Sequence, residues 1–151
     1  MTLNAVYPVL VTDRLDESHR FYVELLQLET VFESEWFVQL TARNQRTQLG
    51  LLVRGHDSLP PAFDSNLTAG VLVTVEVDDV DNVHRRATRL GVPIELGLRD
   101  EEWGQRHFIA SDPNGIAVDV VQVIAVSSAE IAAQYNPAVL PPGSAAPGAQ
   151  V

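Results

Sequence analysis

Apolar and polar residues alternate in short bursts along the chain, and twice a burst gives way to helical spacing. Ala5 to Val11 reads as a strand. After Asp13 the apolar residues Leu15, Tyr22, Leu25 and Leu26 then recur at helical intervals. The same change of period returns at Val71 to Val77, followed by Val80, Val83, Ala87 and Leu90. Three short β segments come after each helix. The first set is predicted near Glu29–Phe32, Trp36–Thr41 and Gln48–Val53, the second near Ile94–Gly97, His107–Ala110 and Ala117–Val123. Each half is therefore β-α-β-β-β, and neither buries both faces of its sheet by itself.

An internal repeat underlies this symmetry. "VTDRLDESHRF" (Val11 to Phe21) matches "VDDVDNVHRR" (Val77 to Arg86) with one extra residue at Arg14. Asp13 then pairs with Asp79, Asp16 with Asp81, His19 with His84 and Arg20 with Arg85. Aspartates at both helix starts are expected to cap free backbone N–H groups. "GHDSLPPAFDSNLTAG" (Gly55 to Gly70) is rich in turn formers and reads as a linker. "DPNG" (Asp112 to Gly115) has the residues of a type I turn. These features predict an α+β domain over 1–126, with halves of about 4–54 and 70–123 and a linker at 55–69. The Pro/Ala-rich segment 127–151 has little to pack, and the expectation there is a short helical turn at most, then a flexible tail.

Composition narrows the functions. The chain of 151 residues is 46% apolar and 20% charged, with a formal net charge of −10. Every basic side chain is arginine apart from the histidines, and there is no lysine. Such a field disfavours nucleic acid and anionic membrane and favours cationic guests. No apolar run is long enough to suggest a membrane span. Cysteine is absent, which excludes disulfides, thiolate catalysis and cysteine-held metals. The N-terminal stretch has no basic n-region or small-residue cleavage site, so a cytoplasmic location is expected.

Two tandem βαβββ halves resemble the vicinal oxygen chelate superfamily, which includes glyoxalases, extradiol dioxygenases and bleomycin-resistance proteins. "FYVELLQLE" (Phe21 to Glu29), "VEVDDVDNVHRRATRLGVPI" (Val75 to Ile94) and "WGQRHFIASDPNGIAVDVV" (Trp103 to Val121) carry the resemblance. It implies cup-shaped mixed sheets with helices outside, a ligand or metal at the cup floor, and a homodimer. It also implies four inward metal-ligand positions, which fall here on Val6, Gly50, Leu72 and Asp119. Three of the four have no lone pair to offer a cation, so no metal and no other cofactor is expected.

Without a metal the site must work by shape, stacking and charge. The expected ligand-binding residues are Trp36, Trp103, Arg106, His107 and Asp119, with no catalytic residue among them. Asp119 would be a carboxylate on an apolar floor, satisfied by an arginine such as Arg106 or Arg54 or by a bound amine. The tryptophans suit a planar or cationic guest. The remaining histidines, His19 and His84 on the helices and His56 in the linker, are expected outside the cup. The segment "WGQR…DPNG…D" also resembles metal-free drug-sequestering members. The expected partner is therefore a small aromatic or cationic molecule. The alternatives are a metal-dependent lyase, isomerase or dioxygenase of the same superfamily, with metal held by His107 and Asp119, and a non-catalytic dimeric interaction module.

Overall fold

The computed structural model describes residues 1–43 and 46–135. Two four-stranded sheets with identical topology form the framework. The first has the order β1-β4-β3-β2, built from β1 (Val9–Thr12), β2 (Glu29–Glu33), β3 (Phe37–Thr41) and β4 (Gln48–Val53). The second has the order β5-β8-β7-β6, from β5 (Leu72–Glu76), β6 (Ile94–Glu101), β7 (Gln105–Ser111) and β8 (Ala117–Val123). Helix α1 (Leu15–Leu26) precedes β2, α2 (Val80–Arg89) precedes β6, and a short α3 (Ala129–Ala132) follows β8. The α+β reading with two tandem modules holds. Among the described residues no helix is long and apolar enough to cross a membrane.

The chain forms two compact units. The first comprises Met1–Leu72 together with Ser111–Ala117. The second comprises Val73–Ala110 and the described residues from Val118 onward. In the first unit β1 runs parallel to β4, with Val9 beside Gly50, while β3 is antiparallel to both β4 and β2. Val38, Leu40, Leu49 and Leu51 are buried with Tyr22 and Leu25 of α1. Each such side chain contributes about 1.5–3 kcal/mol of hydrophobic stabilisation. In the second unit Val80, Val83 and Ala87 of α2 are buried with Phe108, Val118 and Val120 of the sheet.

The "DPNG" turn does more than reverse the chain. Gly115 closes it at φ 81°, and its N–H donates to the Asp112 carbonyl at 3.0 Å. The Asp112 carboxylate accepts from the backbone of Asn114 and Ile116 and from the Tyr22 hydroxyl at 3.0 Å. Asn114 accepts from Thr12 Oγ1 at 2.5 Å and donates to Ser18 Oγ at 2.9 Å. Thr12, Ser18 and Tyr22 are fully buried, so these bonds complete the polar inventory of the first unit's core. Burial, and then the neighbouring Asp112 carboxylate, push the Tyr22 phenol far above its ordinary range.

Several boundaries differ from the pattern-based expectation. β1 begins at Val9 rather than Ala5, because Pro8 has no N–H to donate to a ladder and only its carbonyl pairs, with Gly50 N. β6 runs on to Glu101, past register shifts between Ile94 and Arg99 that blur its alternation. The helix starts also part company. Asp79 caps α2 by accepting from Asn82 N at 2.9 Å. In the first repeat the extra residue puts Arg14 at the cap position, where no side chain caps, and Asp13 bonds Asn66 instead. Leu90 ends α2 half exposed rather than packed. Of the C-terminal segment expected to be flexible, residues 127–135 carry α3 as the expected helical turn; residues 136–151 lie outside the described part.

Candidate functional site

Strand alternation in the second unit sorts the candidate residues onto two faces. On β7, Phe108 meets His84 of α2 edge-on at 5.0 Å, and Arg106 grips Asp81 of α2 with two hydrogen bonds of 2.9 Å. On β8, Gln122 accepts from Val80 N at the start of α2. The even-numbered residues of both strands therefore face the helix. His107 and Asp119, at odd positions, share the other face.

There the two are bonded directly, with His107 Nδ1 2.7 Å from Asp119 Oδ1. The opposite ring nitrogen, Nε2, lies 3.1 Å from Glu101 Oε1, and Arg99 donates to the same Glu101 oxygen. His107 and Asp119 are almost fully buried and Glu101 is nearly so, while Arg99 stays exposed. The hydrogen bond from His107, aided by that from Arg99, holds the Glu101 carboxyl below its usual range. Trp103 stands beside this cluster with its ring edge-on to His107, centroids 6.2 Å apart, and its indole N–H donates to Gln105 Oε1 at 2.8 Å. It remains 39% exposed.

The turn carrying Trp103 is held from behind by the segment after β8. Gly104 adopts φ 95°, and a Cβ there would sit 2.8 Å from Val126 Cγ2. Ile124 N donates to the Gly104 carbonyl, Ser127 N to that of Glu102, and the Tyr135 hydroxyl to that of Trp103.

Of the five residues singled out from the sequence, the structure brings Trp103, His107 and Asp119 together. Arg106 turns to the helix side and is occupied by Asp81 and Asp100, which hold its guanidinium above even its ordinary high pKa. Asp119 is thus satisfied by His107 rather than by Arg106 or Arg54. Trp36 belongs to the first unit, where it stacks on His56 at 4.3 Å and 16°. His56 of the linker thus covers part of the indole surface. Arg99 was missed, and Glu101 was not among the expected ligand-binding residues. Their signal was i, i+2 spacing on one strand face, hidden because β6 extends four residues beyond its expected end at Gly97.

The donor set does not fit a divalent metal. Val6 precedes β1 and is fully exposed, and the residue beside Gly50 is Val9. At Gly50 a Cβ would meet Val9 Cγ2 at 2.9 Å and the Phe37 ring at 3.1 Å, so apolar side chains fill the place a ligating side chain would need. Leu72 offers no donor. Asp119 and Glu101 address opposite edges of one imidazole and share no common centre with it. Among the described residues no group of three or more His, Asp or Glu is placed to hold a metal ion.

Comparison with known proteins agrees with this architecture. The fold is similar to that of TnmS3, an antibiotic-binding protein from Streptomyces sp. CB03234. The TM-score is 0.63 at 20% identity, covering 81% of this chain and 97% of that one. It is also similar to a lactoylglutathione lyase from Agrobacterium tumefaciens, with TM-score 0.62 at 23% identity over 79% and 92% of the two chains. A superfamily member from Sphaerobacter thermophilus DSM 20745 matches with TM-score 0.64 at 22% identity over 80% and 98%. At these identities the likeness is one of fold. No curated protein sequence matches the chain. The family described as glyoxalase/bleomycin resistance protein/dioxygenase superfamily matches residues 4–120, nearly the whole span of both βαβββ modules, and it is to this superfamily that the chain belongs.

Proposed function

We propose that the protein binds a small aromatic or cationic molecule without a metal, on the sheet face carrying Trp103, His107 and Asp119. One observation carries the reading: a half-exposed indole stands edge-on to an imidazole bracketed by two carboxylates. Stacking on Trp103 supplies contact area, and the acidic cluster favours a positively polarised guest edge. The net charge of −10 adds long-range attraction of cations. Support also comes from the same fold serving TnmS3, described as an antibiotic-binding protein. The cysteine-free, acidic chain is read as cytoplasmic, and the family's habit favours a homodimer.

Ethidium and acridine orange are suitable probes. Tryptophan quenching and a raised melting temperature are expected with wild type, and Trp103→Ala should weaken binding about tenfold. Absence of both signals across a set of planar cations would sink the proposal.

The Asp119–His107 pair supports a second reading, an enzyme that moves a proton, because a buried carboxylate on Nδ1 orients imidazole for acid–base work. Deuterium uptake from solvent into a carbon acid, abolished by His107→Gln, would favour this second reading.

A further inference from the structure

The first unit carries a cavity of about 420 Å³, lined by Glu29, Thr30, Val31, Gln39, Thr41 and Gln48. That volume lies within the range of small-molecule sites. Gln39 on β3 is in register with Gly50 on β4, so Gln48, two residues along β4, shares its face. There Gln39 Nε2 donates to Gln48 Oε1 at 2.6 Å.

A primary amide has two N–H donors and a carbonyl with two lone pairs. A single amide–amide bond leaves the Gln39 carbonyl and the Gln48 NH₂ unspent. Exchanging N and O in both amides merely swaps these roles. Among the described residues neither side chain makes a further hydrogen bond. Tying the two ends together also removes rotamer freedom that a guest would otherwise have to restrict. The other polar groups of the rim are engaged: Thr41 Oγ1 donates to the Thr47 carbonyl, and Glu29 is paired with Arg43. Further along the same face Phe37 lies over Gly50 and adds apolar surface.

We infer that this glutamine pair is a binding site for a planar, uncharged group presenting adjacent hydrogen-bond donor and acceptor, as in a lactam, an imide or a nucleobase edge. The donor–acceptor complementarity of the two free amide functions selects the class, and the Glu29–Arg43 pair leaves the rim with no net charge.

Uracil is the probe, titrated to about 20 mM into the ¹⁵N-labelled full chain, a range suited to so small a ligand. The side-chain NH₂ resonances of Gln39 and Gln48 should both move, and 1,3-dimethyluracil, which has no N–H, should leave them in place. Gln48→Glu keeps an oxygen to accept from Gln39 but removes the outward NH₂. It should weaken uracil binding about tenfold without unfolding the sheet. Uracil shifts that bypass both glutamines, or Gln48→Glu binding within about twofold of wild type, overturn the inference. Because the readout is confined to the glutamines, it stands or falls independently of the proposal for the second unit.

Discussion

The two sheets have the same strand order, yet their corresponding faces carry opposite chemistry. In the second unit the face away from the helix holds a buried histidine between two carboxylates. In the first, the central strand presents Gly50 under Val9 and Phe37, flanked by two glutamine amides. Backbone topology is set by alternation and turn chemistry, which tolerate many side chains. The chemistry of a face rests on one or two positions per strand. A repeat can therefore keep its architecture while its two faces serve different guests.

The sharpest way to break the contrast is His107→Ala, which leaves Asp119 buried without its partner. A loss of about 3–5 kcal/mol is expected in urea denaturation. A loss below about 1 kcal/mol would mean that the cluster is solvated rather than built in. Next comes Gly50→Glu, an attempt to give the first sheet a carboxylate where the second has Asp119. Its side chain must displace Val9 and Phe37 and bury a charge, so destabilisation of about 3 kcal/mol is expected. Retained stability together with metal uptake would erase the distinction between the two faces.

Tyr22→Phe tests the first unit's own polar core, where Asp112 would lose its hydroxyl donor. About 2 kcal/mol should be lost, with both sheets retained by circular dichroism. The smallest effect is expected from Glu101→Gln, and it should depend on pH. The Glu101 pKa is lowered in the folded chain, so its contribution is present above the ordinary carboxylate range and fades as pH falls through the lowered value. The melting temperature of wild type should exceed that of the variant at neutral pH, and the gap should close in acid. A gap unchanged between the two would show that the charge of Glu101 is irrelevant.

The βαβββ order was legible because each module switches from period 2 to period 3.6 and back, and because Asp112, Pro113 and Gly115 announce a turn. Asp119 and His107 were legible as candidates because a polar residue inside an apolar strand is conspicuous. Their bond was not, since whether His107 faced the helix or the opposite side depends on strand phase, and β7 starts two residues earlier than its apolar run suggests. Glu101 was hidden by the irregular register of β6. Arg106 looked like a ligand residue until its phase put it against Asp81. Gln39 and Gln48 left no sequence signal, because half-buried glutamines on strands are ordinary and only their convergence marks them.

The hairpin tip at Asp112 to Gly115 also bears on how the chain is made. Thr12 and Asn114 are 102 residues apart, and Tyr22 and Asp112 are 90 apart, yet these pairs close the first unit's core. During synthesis the first repeat emerges complete in sequence but lacks the residues that satisfy its innermost hydroxyls. It must wait for Asp112 and Asn114 before these hydrogen bonds can form. The linker at residues 55–69 is consequently a poor place to cut the protein in two: a fragment ending there would have to bury Thr12, Ser18 and Tyr22 without Asn114 and Asp112. The repeat unit of the sequence and the folding unit of the chain are different objects.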